Sequence, residues 1–240
     1  MRPLHIITPV KDSIHLTLES AESILRSQIE VPHHYTIYND FSTPDNSALL
    51  EQFVRERGET VSLINLSDIT THPSPNYRLV LQLSRQRAIA EGADLMIVES
   101  DVVVRQHTIQ SLIEGAAQRH DCGIAAAVTV DERGAINYPY EYARGHEGEC
   151  IAVKRHCSFC CSLLTLELLQ ALDFRLLDPE KHWFDVAISH FSHSLGFKNY
   201  LFTYLPVTHR PHATRPWKQL KYSNPMKYYW IKLTQGFDKI

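Results

Sequence analysis

Leu95-Met96-Ile97-Val98-Glu99-Ser100-Asp101-Val102-Val103-Val104 is the run that decides how this chain is read. Four apolar residues lead straight into two carboxylates spaced i, i+2, and the apolar run then resumes. Gly92 lies before it and Arg105-Gln106-His107 after it, the pattern of a strand buried on both faces. Carboxylates are costly in such a strand unless something offsets their charge. At the end of a buried strand, Glu99 and Asp101 suit a hard divalent cation with oxygen ligands, Mg²⁺ or Mn²⁺. The alternative is a strand that has simply reached solvent.

Upstream, strands alternate with amphipathic helices. Leu4–Thr8 reads as a first strand ending at Pro9, and Asp12 or Ser13 can cap the helix that follows, with Ile14, Leu18, Ala21 and Leu25 on one face. Tyr35–Tyr38 is the second strand, running into Asn39-Asp40-Phe41-Ser42. Thr43 as N-cap and Pro44 at the first helical position open a second helix, whose apolar side is Leu49, Leu50, Phe53 and Val54. Val61–Ile64 is a third strand, Ser67–Asn76 an irregular loop, and a helix covers Tyr77 to Glu91. This order predicts an α/β fold with a mainly parallel central sheet flanked by helices. Ligands bind beyond the C-terminal strand ends of such sheets, so Thr8, Asp40, Glu99 and Asp101 are expected along one edge.

Downstream the pattern changes. Ile124–Val130 is a strand of small residues, and the irregular section Asp131–Gly148 is a candidate functional loop. Ile151–Val153 reads as a short strand and Leu163–Leu172 as a helix. A further helix puts Phe184, Ile188, Phe191 and Leu195 on one face and stops at Gly196. Tyr200–Val207 is the last strand. The tail from Trp217 to Ile240 interleaves Lys218, Lys221, Lys227 and Lys232 with Trp217, Tyr222, Tyr228, Tyr229 and Trp230. That mixture suits an anionic membrane surface, or a tail helix packed on the domain.

The 240 residues, 44% hydrophobic and 21% charged, are enough for one large domain with a buried core. A formal charge of −3 gives no reason to expect a nucleic-acid partner. No run approaches the ~18 apolar residues of a membrane span, and no signal peptide is visible, so a cytosolic protein with reduced thiols is expected. Five cysteines, an odd number, argue against a disulfide framework. Cys157-x-x-Cys160-Cys161 resembles half a zinc site but lacks a second matching pair, so these read as small buried apolar residues. No Gly-x-Gly-x-x-Gly follows any strand and no P-loop is present, which excludes the common dinucleotide and P-loop enzymes. A sugar-nucleotide pyrophosphorylase would open on a Gly-rich loop bearing Arg and Lys, which Thr8–Ser13 lacks.

Between Leu4 and His209 the chain resembles an inverting family 2 glycosyltransferase. Six segments carry the resemblance, in order. Ile6-Ile7-Thr8-Pro9-Val10 is similar to the opening strand, and Asn39-Asp40-Phe41-Ser42-Thr43-Pro44-Asp45 to the Asp-Asp-x-Ser-x-x-Asp turn. Arg85-Gln86-Arg87-Ala88-Ile89 with Gly92 resembles the Arg-Asn-x-Gly-Ile helix, and Glu99-Ser100-Asp101 stands where the Asp-x-Asp motif falls. Phe184-Asp185-Val186-Ala187-Ile188 resembles the Glu-Asp-x-Asp-Leu helix, and Val207-Thr208-His209 the late histidine. Asn39, Glu99 and Phe184 depart from the pattern, each replacing an acidic residue or, at Glu99, an aspartate.

The resemblance implies a single glycosyltransferase A (Rossmann-like) domain over residues 1–216, nucleotide-binding over 1–115 and acceptor-binding over 116–216, with 217–240 as the basic, aromatic tail. It implies transfer of a sugar from a nucleotide diphosphate donor, a UDP-sugar first, to a hydroxyl of a saccharide or lipid-linked acceptor, with Mn²⁺ or Mg²⁺, as in polysaccharide biosynthesis. Asp101 would ligate the metal, with Glu99 supporting it or holding the ribose and His209 completing the set; a surface histidine after a strand is the other reading of His209. Asp40 would recognise the base, or organise the Asn39–Ser42 turn. Thr8, Pro9 and Ser100 would line the nucleotide, Thr8 being equally an ordinary strand-end residue, and Arg85 would contact phosphate. Asp185 would be the general base, near a helix N-terminus that keeps it ionised. Tail contact with a membrane would place the enzyme at the inner face of the cell membrane. The alternative is a degenerate, catalytically inactive sugar-nucleotide-binding or scaffold protein of the same fold, motivated by the three departures.

Overall fold

Alternating apolar residues followed by Pro9 make β1 (Leu4–Val10), whose residues are buried except for half-buried Pro9. It pairs in parallel with β2 (His33–Asn39) on one side and β4 (Asp94–Val98) on the other, and β2 pairs with β3 (Ser62–Asn65). The crossovers are α1 (Ile14–Leu25), α2 (Pro44–Arg57) and α3 (Tyr77–Glu91). This computed structural model describes residues 1–180, 183–210 and 224–235. The chain divides into two units, residues 1–210 and 211–240, where the sequence suggested a boundary after 216.

The second half extends the same sheet. After β5 (Val102–Val103) and α4 (Thr108–Ala117) come β6 (Cys122–Val130), β7 (Cys150–Val153), β8 (Cys161–Leu164), α5 (Leu166–Ala171), α6 (Phe184–Ser194) and β9 (Lys198–His209). The order is β3-β2-β1-β4-β8-β6-β9-β5, with β7 also on β9. Among the described strands, β5, β7 and β8 run against the other six, so the sheet is mixed but mainly parallel, in agreement with the expected α/β class. Apolar side chains fill both faces: Leu4, Ile6, Met96 and Val98 face one layer, Ile7, Leu95 and Ile97 the other. Full burial of each such side chain stabilises by roughly 1.5–3 kcal/mol, and after Asp94, whose carboxylate accepts from the Leu166 N–H, β4 is apolar up to Glu99.

Four local expectations need correction. Leu163–Leu172 is not one helix: Cys161–Leu164 is β8, paired with β4 and β6, and Thr165 accepts from the Leu168 N–H to start α5. The ten-residue acidic stretch is not one strand either, since it breaks at Glu99-Ser100-Asp101 before β5. Neither Asp12 nor Ser13 caps α1 through its side chain, and both adopt left-handed backbone with φ 56° and 53°. Asp12 instead accepts from the Thr43 N–H (2.8 Å) and Asn46 Nδ2 (3.1 Å), tying the loop after β1 to the start of α2. In α6, Phe184 and Ile188 are buried but Phe191 and Leu195 are exposed. The buried stripe is completed by Ser189 and Ser192, because the helix lies so close to β6 that a Cβ on Gly123 would sit 2.3 Å from Ser192 Oγ. Of the second unit, the described part is α7 (Pro225–Gln235); Trp217, Lys218, Lys221 and Tyr222 lie outside the described residues. No described helix is long and apolar enough to cross a membrane.

Candidate active site

The parallel strands β1, β2 and β4 end together, and Asp40 N–H donates to Val10 O at 2.8 Å to lock that edge. Two strand pairings then assemble a cluster from three distant segments. Opposition of Val98 and Cys161 in the β4–β8 ladder is extended by a Glu99 N–H to Cys160 O bond of 3.0 Å, which sets the Cys160 and Glu99 side chains together. The Cys160 thiol donates to Glu99 Oε2 at 3.3 Å. In the β5–β9 ladder Val102 opposes His209, and Arg210 N–H donates to Asp101 O at 3.0 Å. His209 Nε2 therefore lies 3.5 Å from Asp101 Oδ2, while its Nδ1 is held 2.8 Å from Tyr138 O. Ligand atoms of Glu99, Cys160 and His209 all lie within 4.8 Å of one another.

The electrostatics show mutual repulsion among like charges. The Glu99 carboxyl is pushed up to about 7, first by burial, then by the charge of Asp101, with Asp185 adding to it; His209 works the other way. Burial lowers the His209 imidazole, but Asp101 and then Glu99 outweigh it, and the net shift is upward. Burial, followed by the Glu99 charge, drives the Cys160 thiol well above its usual range. An imidazole, two carboxylates and a thiol concentrated this way are a donor set that fits a divalent cation. A further observation agrees: the Tyr77 hydroxyl, at the first position of α3, is buried and has no hydrogen-bond partner among the described residues. Burial raises it well above its usual value, and the charges of Glu99 and Asp185 add to this.

Asp185 sits in the first turn of α6, partly buried, and accepts from the Val186 N–H at 2.9 Å. Its charge acts on Glu99, Tyr77 and Cys157, so it belongs to the same neighbourhood. Ser100 and Asp101 are both buried in the turn after β4.

The remaining candidates have other partners. Both Asp40 oxygens are engaged, Oδ2 by Ser74 Oγ and the Asn76 N–H and Oδ1 by Asn76 Nδ2, each at 2.8 Å. Asp40 thus anchors the residue that precedes α3, and three of the roughly four acceptor positions of a carboxylate are used. Beside it a polar hollow of about 360 Å³ is lined by Asn39, Phe41, Ser42, Ser47, Asn65 and Asp68, among others. Thr8 is fully buried and its hydroxyl accepts from Tyr35, so it is a core threonine; Pro9 next to it is half-buried. Arg85 donates to Leu169 O at 2.7 Å and lies over the Phe174 ring, on the α5 side, where it lines a second hollow of about 390 Å³ without any cluster residue. Mid-helix, the guanidinium is turned toward the Leu169 carbonyl of α5.

Sequence reasoning missed Cys160 and Tyr77. Cys160 reads in the sequence as part of the Cys157-x-x-Cys160-Cys161 half site, set aside as a small buried apolar residue, since its place beside Glu99 depends on β8 being a strand. Tyr77 carried a signal as the first helical residue after a Ser/Pro/Asn loop, in the helix that precedes the acidic strand.

No protein-family model matches the sequence, and no curated protein matches it. Solved structures do match. The mannosyltransferase PcManGT from Pyrobaculum calidifontis, in complex with GDP-Man and Mn²⁺, is similar with a TM-score of 0.67 at 12% identity, over 97% of this chain and 65% of that one. GalNAc-T7 with UDP, GalNAc and Mn²⁺ gives 0.65 at 11% identity, over 87% of this chain and 44% of that one. S. aureus TarS 1–349 gives 0.60 at 13% identity, over 87% and 60%. The chain therefore has the fold of these glycosyltransferases, the glycosyltransferase A fold, and spans between 44% and 65% of their lengths.

Proposed function

We propose that the protein is a metal-dependent, inverting glycosyltransferase that moves a sugar from a nucleotide diphosphate donor to a hydroxyl acceptor. The observation that carries this reading is the convergence of Glu99, Asp101 and His209 at the C-terminal sheet edge, with Asp185 close enough for its charge to act on Glu99. Asp101, Glu99 and His209 would hold Mn²⁺ or Mg²⁺. A divalent ion there would offset the negative charge that a leaving nucleotide diphosphate gains.

The chain's own residues supply the rest. Asp40, bound to Ser74 and Asn76, fixes the loop between β3 and α3 and keeps one acceptor position for a base N–H. The hollow beside it, with Asn39, Ser42 and Asn65 on its walls, supports a nucleoside neighbour; Ser100 and Pro9 would lie along the ribose. Asp185 at the α6 N-terminus takes the acceptor proton as the hydroxyl oxygen attacks the anomeric carbon opposite the leaving group. One displacement inverts the configuration. A UDP-sugar is the first donor to test and a GDP-sugar the second, with saccharide or lipid-linked acceptors. Contact with an anionic membrane is a further part of this reading, motivated by α7, where Met226, Tyr229 and Trp230 are exposed on successive turns beside Lys227. Vesicle co-sedimentation of the full chain, weakened by Trp230→Ala, checks that contact.

The test of the main reading is nucleotide release from UDP- and GDP-sugars. With Mn²⁺ the wild type releases nucleotide and a chelator stops it. Asp185→Asn lowers release about 10²–10⁴-fold while donor affinity stays within about twofold. Donor binding with no release under any of these conditions would assign the chain to the inactive, scaffold alternative.

A further inference from the structure

The cation site contains a sulfur atom that the Asp-x-Asp resemblance does not account for. Cys160 is 2% exposed, its Sγ is 3.3 Å from Glu99 Oε2, and it falls within the same 4.8 Å set as His209. The thiol is there by backbone pairing: Glu99 N–H binds Cys160 O at 3.0 Å, and Ser158 Oγ lies 3.3 Å from Sγ on its other side. The β4–β8 ladder starts at the next residue, where Cys161 opposes Val98, so the sulfur faces the carboxylate from the turn that leads into the sheet.

We infer that Cys160 is a ligand of the cation site and that the site prefers thiophilic divalent ions, Zn²⁺ or Co²⁺, to Mn²⁺. The inference rests on the cation site of the proposed function and concerns which ion that site selects. Ligand type decides the preference. Carboxylate and imidazole accept all three ions, whereas a thiolate selects the softer ones, and Mn²⁺ already stands lowest of the three in intrinsic affinity. Spacing agrees with a small tetrahedral ion. Around zinc, with Zn–S near 2.3 Å and Zn–N near 2.0 Å, ligand atoms stand roughly 3.5 Å apart. From separations of up to 4.8 Å, the Glu99, Cys160 and His209 atoms need to close by about 1.3 Å at most. On binding, the S–H bond breaks, the sulfur lone pair forms the bond to the ion, and the proton leaves to solvent, one proton per ion.

The test uses the full chain freed of metal and titrated with Co²⁺. The wild type gains a near-ultraviolet sulfur-to-cobalt charge-transfer band, and Cys160→Ser and Cys160→Ala both lack it while still binding Co²⁺ by calorimetry. In competition followed by the free Mn²⁺ electron-spin resonance signal, Zn²⁺ displaces Mn²⁺ from the wild type at a concentration at least ~10-fold lower than from Cys160→Ser. A band that survives in Cys160→Ser, or that disappears in Cys150→Ser instead, overturns the inference, as does unchanged Zn²⁺/Mn²⁺ selectivity. Nucleotide release is read separately. Loss of release with the band intact counts against the glycosyltransferase reading alone, and absence of the band with Mn²⁺-dependent release intact counts against the sulfur ligand alone.

Discussion

Two acidic turns leave the same sheet edge, and their surroundings are opposite. After β2, Asp40 accepts three hydrogen bonds of 2.8 Å from Ser74 and Asn76, so its charge is spent inside the protein. After β4, Glu99 and Asp101 share one small volume with Asp185 near by, and Glu99 is pushed up to about 7 by burial and by Asp101. A carboxylate surrounded by donors organises a loop. Two carboxylates held in one small volume repel each other, which His209 beside Asp101 offsets in part and a cation would offset further. The first turn builds the edge and the second concentrates charge on it, a division that stability measurements can break or sharpen.

The larger effect is expected at the satisfied turn. Asp40→Ala removes three charge-assisted hydrogen bonds and leaves the buried Asn76 N–H without that partner. Hydrogen bonds to a charged group contribute about 1.5–3 kcal/mol singly, and they do not add when they share one carboxylate. Ser74 is partly open to water, which recovers part of the loss. The net destabilisation is about 2–4 kcal/mol, read as a lower urea midpoint at unchanged slope. A loss below ~0.5 kcal/mol would mean that Asp40 does not anchor α3, and the contrast between the turns would fail.

How much of this contrast was legible in the sequence follows from how local each feature is. The parallel half could be read because its signals sit side by side: Pro9 after the first strand, Thr43-Pro44 at a helix start, and Tyr77–Glu91 closed by Gly92, which takes φ 64° as the αL cap. The convergence of Glu99, Asp101 and Asp40 at one edge followed from strand alternation alone. The rest depended on pairing between distant segments. Leu163-Leu164 are two apolar residues that periodicity cannot separate from the helix after them, so the sequence merges the end of β8 into that helix and gives no sign of the partner of Glu99. His209 could be named from the resemblance of Val207-Thr208-His209 to a late histidine, but its place beside Asp101 comes from the antiparallel β5–β9 pairing, for which a two-residue strand gives almost no sequence signal. Asp12 was misassigned for a related reason: its side chain serves α2, thirty-one residues away from it in sequence, and not the helix it immediately precedes.

The smaller effect, of opposite sign, is expected at the crowded turn. Glu99 has a folded value of about 7 against 4.5 for a free glutamate. For an acid raised by folding, the stability contributed by its neutral form is complete below the unfolded value and is lost as pH rises through the folded one. The metal-free protein therefore weakens between about pH 4.5 and 7. His209, also raised, works in the same direction, since its protonated form loses its proton as pH rises. Glu99→Gln fixes the neutral form. An isolated shift of this size corresponds to roughly 3 kcal/mol, and the opposing charge of His209, which the substitution also deprives of a partner, reduces it to about 1–2 kcal/mol. At pH 8 without metal, the variant should thus melt roughly 3–6 °C above the wild type, and the gap should close near pH 4.5. Saturating Mn²⁺ should reverse the order, because binding stabilises whichever form binds it and the variant has lost a carboxylate. A variant that is less stable than the wild type at pH 8 without metal would mean that Glu99 is satisfied where it stands, and the two turns would then be the same kind of structure.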